Sequence, residues 1–207
     1  ISTRDWSSDV CSSDLRGVAL LAAALAAVYP NLWLVDGVLF PEGLMALCTM
    51  AVIFVAYRWW DTPRWFLAVA MGALTGLAAL TRGEGLLLSV LLVAPWILLR
   101  RDVPLRRRFA HVLVAALACL TVLAPWMIRN ARSFESFVPL STNGNELFVY
   151  ANCDETYGGK FLGFWLFDCQ EQLRRAGQDA SGDEAEKSLH WRKVGLDYAR
   201  DHANRLP

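Results

Sequence analysis

FAHVLVAALACLTVLAPWM, spanning Phe109–Met127, decides the fold class. Its nineteen residues contain no Asp, Glu, Lys or Arg. A helix needs about 17–25 predominantly apolar residues to cross a bilayer, and this run has that length. Arg106, Arg107 and Arg108 stand on one side of it and Arg129 on the other. Four more apolar runs precede it: Gly17–Tyr29, extendable to Leu34, then Pro41–Tyr57, Trp65–Thr81 and Gly85–Leu99. The last of these is short, and would tilt, recruit Gly83–Gly85 or thin the bilayer locally. Soluble core helices are the competing reading, and five such runs in succession with almost no internal charge weigh against it. Lipid offers the backbone no hydrogen-bond partner, so the spans are expected to be helices.

The rest of the 207-residue chain differs in kind. Hydrophobic residues make up 55% and charged residues 19%, below the roughly 25% of soluble domains. Thirteen charges lie in short clusters between Gly17 and Met127, whereas twenty-two are spread from Ile128 to Pro207. The expected architecture is an all-α membrane protein with about five transmembrane helices. A small mixed extracytoplasmic segment follows, ending in an amphipathic helix. Residues 16–128 form the membrane part and 129–207 the extracytoplasmic part. Residues 1–15, with their repeated Ser-Ser-Asp, read as a translated sequencing adapter rather than native chain. We expect the native protein to start upstream of Arg16 and to continue past Pro207.

Arginine placement gives an orientation. Arg58 and Arg64 lie between the second and third runs, and Arg100, Arg101, Arg106, Arg107 and Arg108 between the fourth and fifth. The alternate loops carry none and one. The arginine-rich loops are therefore expected on the cytoplasmic side. Trp59, Trp60, Trp65, Trp96 and Trp126 fall near run ends, as interfacial aromatics do. Gly72-Ala-Leu-Thr-Gly76 is a small-xxx-small pattern that allows close helix approach. Beyond the runs, Phe137–Leu140 and Glu146–Tyr150 are expected to be short strands or extended segments about an Asn143-Gly144 turn. Ser181-Gly-Asp-Glu184 resembles a capping box opening a helix to about Ala203, with Ala185, Leu189, Leu196 and Ala199 on one side.

Few residues invite chemistry. Cys11 lies in the adapter-like tail, and Cys48 and Cys119 fit helix packing. Cys153 and Cys169 share the outer segment, where an oxidising location favours a disulfide. Metal binding is the alternative for that pair, but neither a Cys-x-x-Cys motif nor paired His accompanies them. Arg82 and Arg129 stand at outer helix ends, against the positive-inside bias. Arginine there suits phosphate recognition, with ordinary headgroup contact as the alternative. Asp36, Glu42 and Glu84 are acids that would face an outer cavity. Glu42 could equally serve the helix dipole and Glu84 could pair with Arg82. His190 and His202 are expected to be solvated, and His111 carries no assigned role. Walker, GxGxxG, HExxH and GxSxG motifs are missing from the sequence.

Several motifs carry a resemblance. Leu80-Thr-Arg-Gly-Glu-Gly-Leu-Leu87 is similar to the LTRPEG-type motif of bacterial polyprenyl-phosphate-dependent glycosyltransferases, with Gly83 where Pro is commoner. Ala124-Pro-Trp-Met-Ile-Arg-Asn130 resembles their APW-x-x-RN helix exit, and Phe137–Gly144 the segment after it. Asn152–Tyr157, Phe164-Trp165, Cys169 and Gly195–His202 are similar to actinobacterial members. The chain thus resembles the GT-C class of the protein-mannosyltransferase and aminoarabinose-transferase type. That resemblance implies an enzyme of the bacterial plasma membrane. It would move a sugar from a polyprenyl-phosphate donor to a protein, lipid or glycan acceptor on the outer face. Arg82 and Arg129 would bind the donor phosphate. The catalytic Asp would lie upstream of Arg16, and the fragment alone would be inactive. No cofactor is assigned; a divalent metal that an outer acid such as Glu42 would help bind is the alternative to holding an acceptor hydroxyl, and no nucleic acid is expected. The alternative is a non-enzymatic multi-pass protein such as a carrier, flippase subunit or scaffold.

Overall fold

A computed structural model describes residues 15–30, 41–158, 160–175, 177 and 180–205. The suspected adapter tail up to residue 14, Cys11 within it, and Asp36 lie outside the described residues. The described residues are helical and contain no strand. Helix α1 covers Leu15–Ala27, α2 Pro41–Asp61 and α3 Trp65–Thr81. A helical run over Gly83–Leu99 ends in α4, Ala94–Leu99, and α5 covers Leu105–Ser133. Four shorter or more polar helices follow: α6 Leu147–Tyr150, α7 Asp154–Gly158, α8 Phe167–Arg175 and α9 Glu184–Asp201. Helices α2 and α5 are long and apolar enough to cross a membrane; the other apolar helices are shorter.

The bundle is built around α3, which packs against α2 on one side and α5 on the other. Glycine spacing explains the second contact. A Cβ at Gly72 would overlap the Ala115 carbonyl, and one at Gly76 would sit 2.9 Å from Val122 Cβ. The small-xxx-small pattern therefore brings the α3 and α5 backbones together. Val52, Ala56 and Trp59 of α2 close the core with Ala68 and Met71 of α3, Val93, Ile97 and Ala115. Outward faces remain apolar: Leu47, Met50 and Phe54 on α2 and Leu113, Leu117 and Leu120 on α5 are exposed. Helix α1 is exposed throughout residues 16–27.

The fourth run is not one regular helix. It begins as a 3-10 turn at Gly83–Leu86 and passes through a π turn at Ser89–Val93 before α4. Pro95 supplies a reason. It lacks an N–H, and its ring would crowd the carbonyl four residues back. The π turn, with Ala94 N–H donating to Ser89 O, widens the helix just ahead of it.

Three sequence expectations are corrected in the polar half. Glu146–Tyr150 is not a strand, because Leu147–Tyr150 forms α6 after a 3-10 turn at Asn143–Asn145. A lone two-stranded hairpin is marginal, and here the Tyr150 hydroxyl donates across one helical turn to Glu146 at 2.9 Å. The cap of α9 is Asp183 rather than Ser181. Its carboxylate accepts from Glu186 N–H, while the Glu186 carboxylate accepts from Asp183 N–H. The buried face of α9 is Ala185, Ser188, Trp191 and Gly195, and Leu189 is exposed. Trp191 packs with Val149, Tyr150 and Ala180, and a Cβ at Gly195 would overlap the Phe148 backbone.

Helix α5 runs unbroken through residue 128 to Ser133, so Arg129 and Asn130 belong to its last turns. Cys153 and Cys169 form a disulfide with a Cα–Cα distance of 5.7 Å. It ties the start of α7 to α8. Cys48 and Cys119 are free and buried.

Candidate functional site

Arg82 follows α3 in extended backbone and faces the start of α2. Its guanidinium donates to the Glu42 carboxylate at 2.6 Å and to Glu84 at 3.5 Å. Glu84 makes the largest contribution to raising the Arg82 pKa above its ordinary value, with Glu42 adding to it. Glu42 nonetheless makes the shorter contact and fixes the guanidinium. The Glu84 carboxyl is held below its usual range, first by its own backbone N–H and then by Arg82. All three side chains remain roughly half-exposed, so the network holds geometry more than it adds stability. The extended backbone of Arg82, φ −149° and ψ 133°, is the conformation a following proline requires. Gly83 opens the 3-10 turn, and a Cβ there would meet nothing closer than Leu140 Cδ1 at 4.0 Å.

A cavity of about 700 Å³ lies over this network. Pro41, Glu42 and the Ala79–Glu84 segment form one wall, and Trp126, Pro139, Leu140, Ser141, Asn143 and Gly144 form another. Two side chains one turn apart on α5 hold that second wall. The Trp126 indole N–H donates to Leu140 O at 2.8 Å, and the Asn130 amide donates to Val138 O at 3.2 Å. Asn130 is 1% exposed, so this bond removes the desolvation cost that an unpaired amide would carry. Farther along, Ser188 Oγ donates to Thr142 O at 2.6 Å and Thr142 Oγ1 to the Glu184 carboxylate at 2.9 Å. The segment 138–142 is therefore a strap between α5 and α9.

No family model, curated protein or solved structure matches the chain. The resemblance rests on the motifs themselves, and their residues can be located. Glu42, Arg82 and Glu84 come together on one cavity wall. Arg129 does not join them. It lines a neighbouring cavity of about 200 Å³ with Asn130, Thr142 and Glu184, which shares Trp126, Leu140, Ser141 and Asn143 with the first. Its guanidinium stacks 5.1 Å from the Trp126 ring centroid and donates to Asn130 Oδ1 at 3.2 Å. Among the described residues no group of three or more His, Cys, Asp or Glu is arranged to hold a metal.

Trp126 is the residue whose role sequence reasoning missed. Its place beside a helix end suggested an interfacial anchor; its side chain also lines both cavities. The Trp126/Asn130 spacing of four residues was the available signal. His190 and His202, expected to be solvated, are both partly buried. The His190 Nε2 is buried without a hydrogen-bond partner among the described residues. His202 stacks on Tyr198 with ring centroids 4.2 Å apart. His111 accepts the Trp59 indole N–H at 3.1 Å within the bundle.

Proposed function

We propose that this chain is part of a membrane-embedded glycosyltransferase that takes its sugar from a polyprenyl-phosphate donor. The observation that carries the reading is the Arg82 cavity at the end of an apolar bundle. A guanidinium at that position can meet a phosphate whose polyprenyl tail lies along the exposed apolar helix faces. The five apolar runs are read as membrane helices, with the arginine-rich loops cytoplasmic and residues 129–207 outside. The cavity then opens at the outer face, where a lipid-linked sugar and its glycan, lipid or protein acceptor would meet.

In this mechanism Arg82 binds the donor phosphate and releases Glu42 as it does so. Arg129, turned from Trp126, supplies a second cation from the adjoining cavity. Glu42 and Glu84 are then free to accept hydrogen bonds from sugar or acceptor hydroxyls. Bidentate arginine contacts stabilise the charge that develops on the departing polyprenyl phosphate. The test is transfer by the full-length enzyme in proteoliposomes, with labelled polyprenyl-phosphate sugar as donor. Arg129→Ala and Arg82→Gln should each reduce turnover by about a hundredfold, the scale of losing one charge-stabilising donor. Undiminished turnover in both variants would reject the phosphate role.

A further inference from the structure

The opposite end of α3 carries a third cavity, of about 390 Å³, lined by Pro63, Arg64, Trp65, Phe66, Arg107 and His111. Helix α3 has seventeen residues, which separates its two ends by about 25 Å. The charge balance here is the reverse of that around Arg82. Several nearby arginines are occupied. Arg100 pairs with Asp102 at 2.9 Å and donates to Trp59 O. Arg108 donates to Leu98 O at 2.8 Å and Val103 O at 2.7 Å, closing helix ends. Arg64 and Arg107 have no carboxylate within ion-pair distance among the described residues. No carboxylate lines the cavity either.

Two further features point the same way. Helix α3 begins beside this cavity without a side-chain cap, so Trp65 and Phe66, which line the cavity, stand at the positive end of the helix dipole. His111 is fixed by the Trp59 indole, whose N–H donates to Nδ1. A neutral imidazole that accepts at Nδ1 carries its proton on Nε2, as a donor. Arg64 also lies 5.8 Å over the Phe66 ring, which orients the guanidinium without neutralising it.

We infer that this cavity is a binding site for a phosphate group, held by Arg64, Arg107, the His111 Nε2–H and the start of α3. The site stands apart from the Arg82 cavity and does not depend on the glycosyltransferase reading. Its phosphate comes either from an anionic phospholipid headgroup or from solution. Basic pockets between helices are a known setting for anionic headgroups.

The test uses the purified chain in detergent micelles, titrated with phosphatidylglycerol and followed by native mass spectrometry. Phosphatidylcholine is the neutral control. Wild type should retain one phosphatidylglycerol in preference to phosphatidylcholine. Arg64→Gln/Arg107→Gln should weaken that retention about tenfold. Arg101→Gln/Arg106→Gln, which removes equal charge outside the cavity, should change it less than about threefold. If the double variant does not fold, Arg107→Gln alone should weaken retention at least about threefold with an unchanged elution profile. Displacement of the lipid by millimolar inorganic phosphate identifies the soluble source, and retention against it identifies the headgroup. Equal loss in both double variants, or equal retention of phosphatidylcholine, would overturn the site.

Discussion

Replacing Glu42 by Gln isolates the charge that competes for Arg82. At rest one guanidinium faces two carboxylates, Glu42 at 2.6 Å and Glu84 at 3.5 Å, so one positive and two negative charges leave a net of −1. On the proposed phosphate role of Arg82, an incoming phosphate would displace the closer carboxylate and approach a site with excess negative charge. Glu42→Gln removes that competitor, brings the triad to zero and conserves side-chain volume. The partners are 42% and 45% exposed, so their pairing is discounted for solvent screening to about 0.2–1 kcal/mol. That corresponds to donor-lipid binding tighter by about 1.4- to 5-fold. The assay is the Kd of polyprenyl monophosphate for the chain in neutral-lipid nanodiscs. Arg82→Gln should weaken binding by about tenfold, and Glu42→Gln should add nothing in that background. The gain should shrink as ionic strength rises toward about 1 M. Unchanged or weaker binding in Glu42→Gln, or a gain that persists without Arg82, would refute the reasoning.

Three other perturbations have definite expectations. Reducing the Cys153–Cys169 bridge, whose partners are sixteen residues apart, should release about 3 kcal/mol of loop-closure stabilisation; hydrogen exchange should rise in α7 and α8 and stay unchanged across α2, α3 and α5. Gly72→Leu places a side chain against the Ala115 backbone carbonyl, so thermal unfolding in detergent should show a loss of at least about 1–3 kcal/mol, whereas Gly144→Ala, with open space around it, should be neutral. The Asp183 carboxyl is held below its usual range, first by the Glu186 N–H and then by the Glu135 N–H. A depressed folded pKa contributes stability above the unfolded value of 3.8 that is lost as pH falls through the lower folded value. Acidification through that window should therefore raise exchange at the start of α9, and Asp183→Asn should flatten the response.

Legibility followed the range of the interactions involved. The apolar runs and the glycine pair needed only local composition and spacing, and Gly72 and Gly76 lie against α5 as that spacing implies. The C-terminal helix was legible as a helix but not in its details. Asp183 wins the cap over Ser181 because its carboxylate also accepts from the Glu135 N–H at 3.2 Å, forty-eight residues away. Leu189 and Trp191 could each have anchored the buried face. Trp191 does so because Gly195, one turn farther on, lets the Phe148 backbone come close. At the candidate site Arg82 and Glu84 are two residues apart in sequence, whereas the Glu42 contact spans forty residues and depends on how α2 meets α3. Arg129 and Arg82 looked equivalent as rim arginines. They line different cavities, and Trp126, bonded to Leu140 O, lines both.

The strap over the Arg82 cavity has no secondary structure of its own at Val138–Leu140, and its position is borrowed from both neighbours. Trp126 and Asn130 fix one end to α5 through backbone carbonyls, which any sequence in the strap would offer. Ser188 fixes the other end by donating to Thr142 O and accepting from the Asn145 amide at 3.0 Å. Those last bonds need Ser188 to point at residue 142, which in turn needs α9 seated on α6 through Trp191 and Gly195. The disulfide lies one step farther out. Cys169 is 0% exposed and its sulfur contacts Tyr150 O at 3.4 Å, so it braces the α6 surface on which α9 rests. The helices α6, α8 and α9 therefore support the cavity's strap without lining the cavity. Substitutions at Ser188 should alter the cavity more than substitutions at exposed Leu189, one residue away on the same helix.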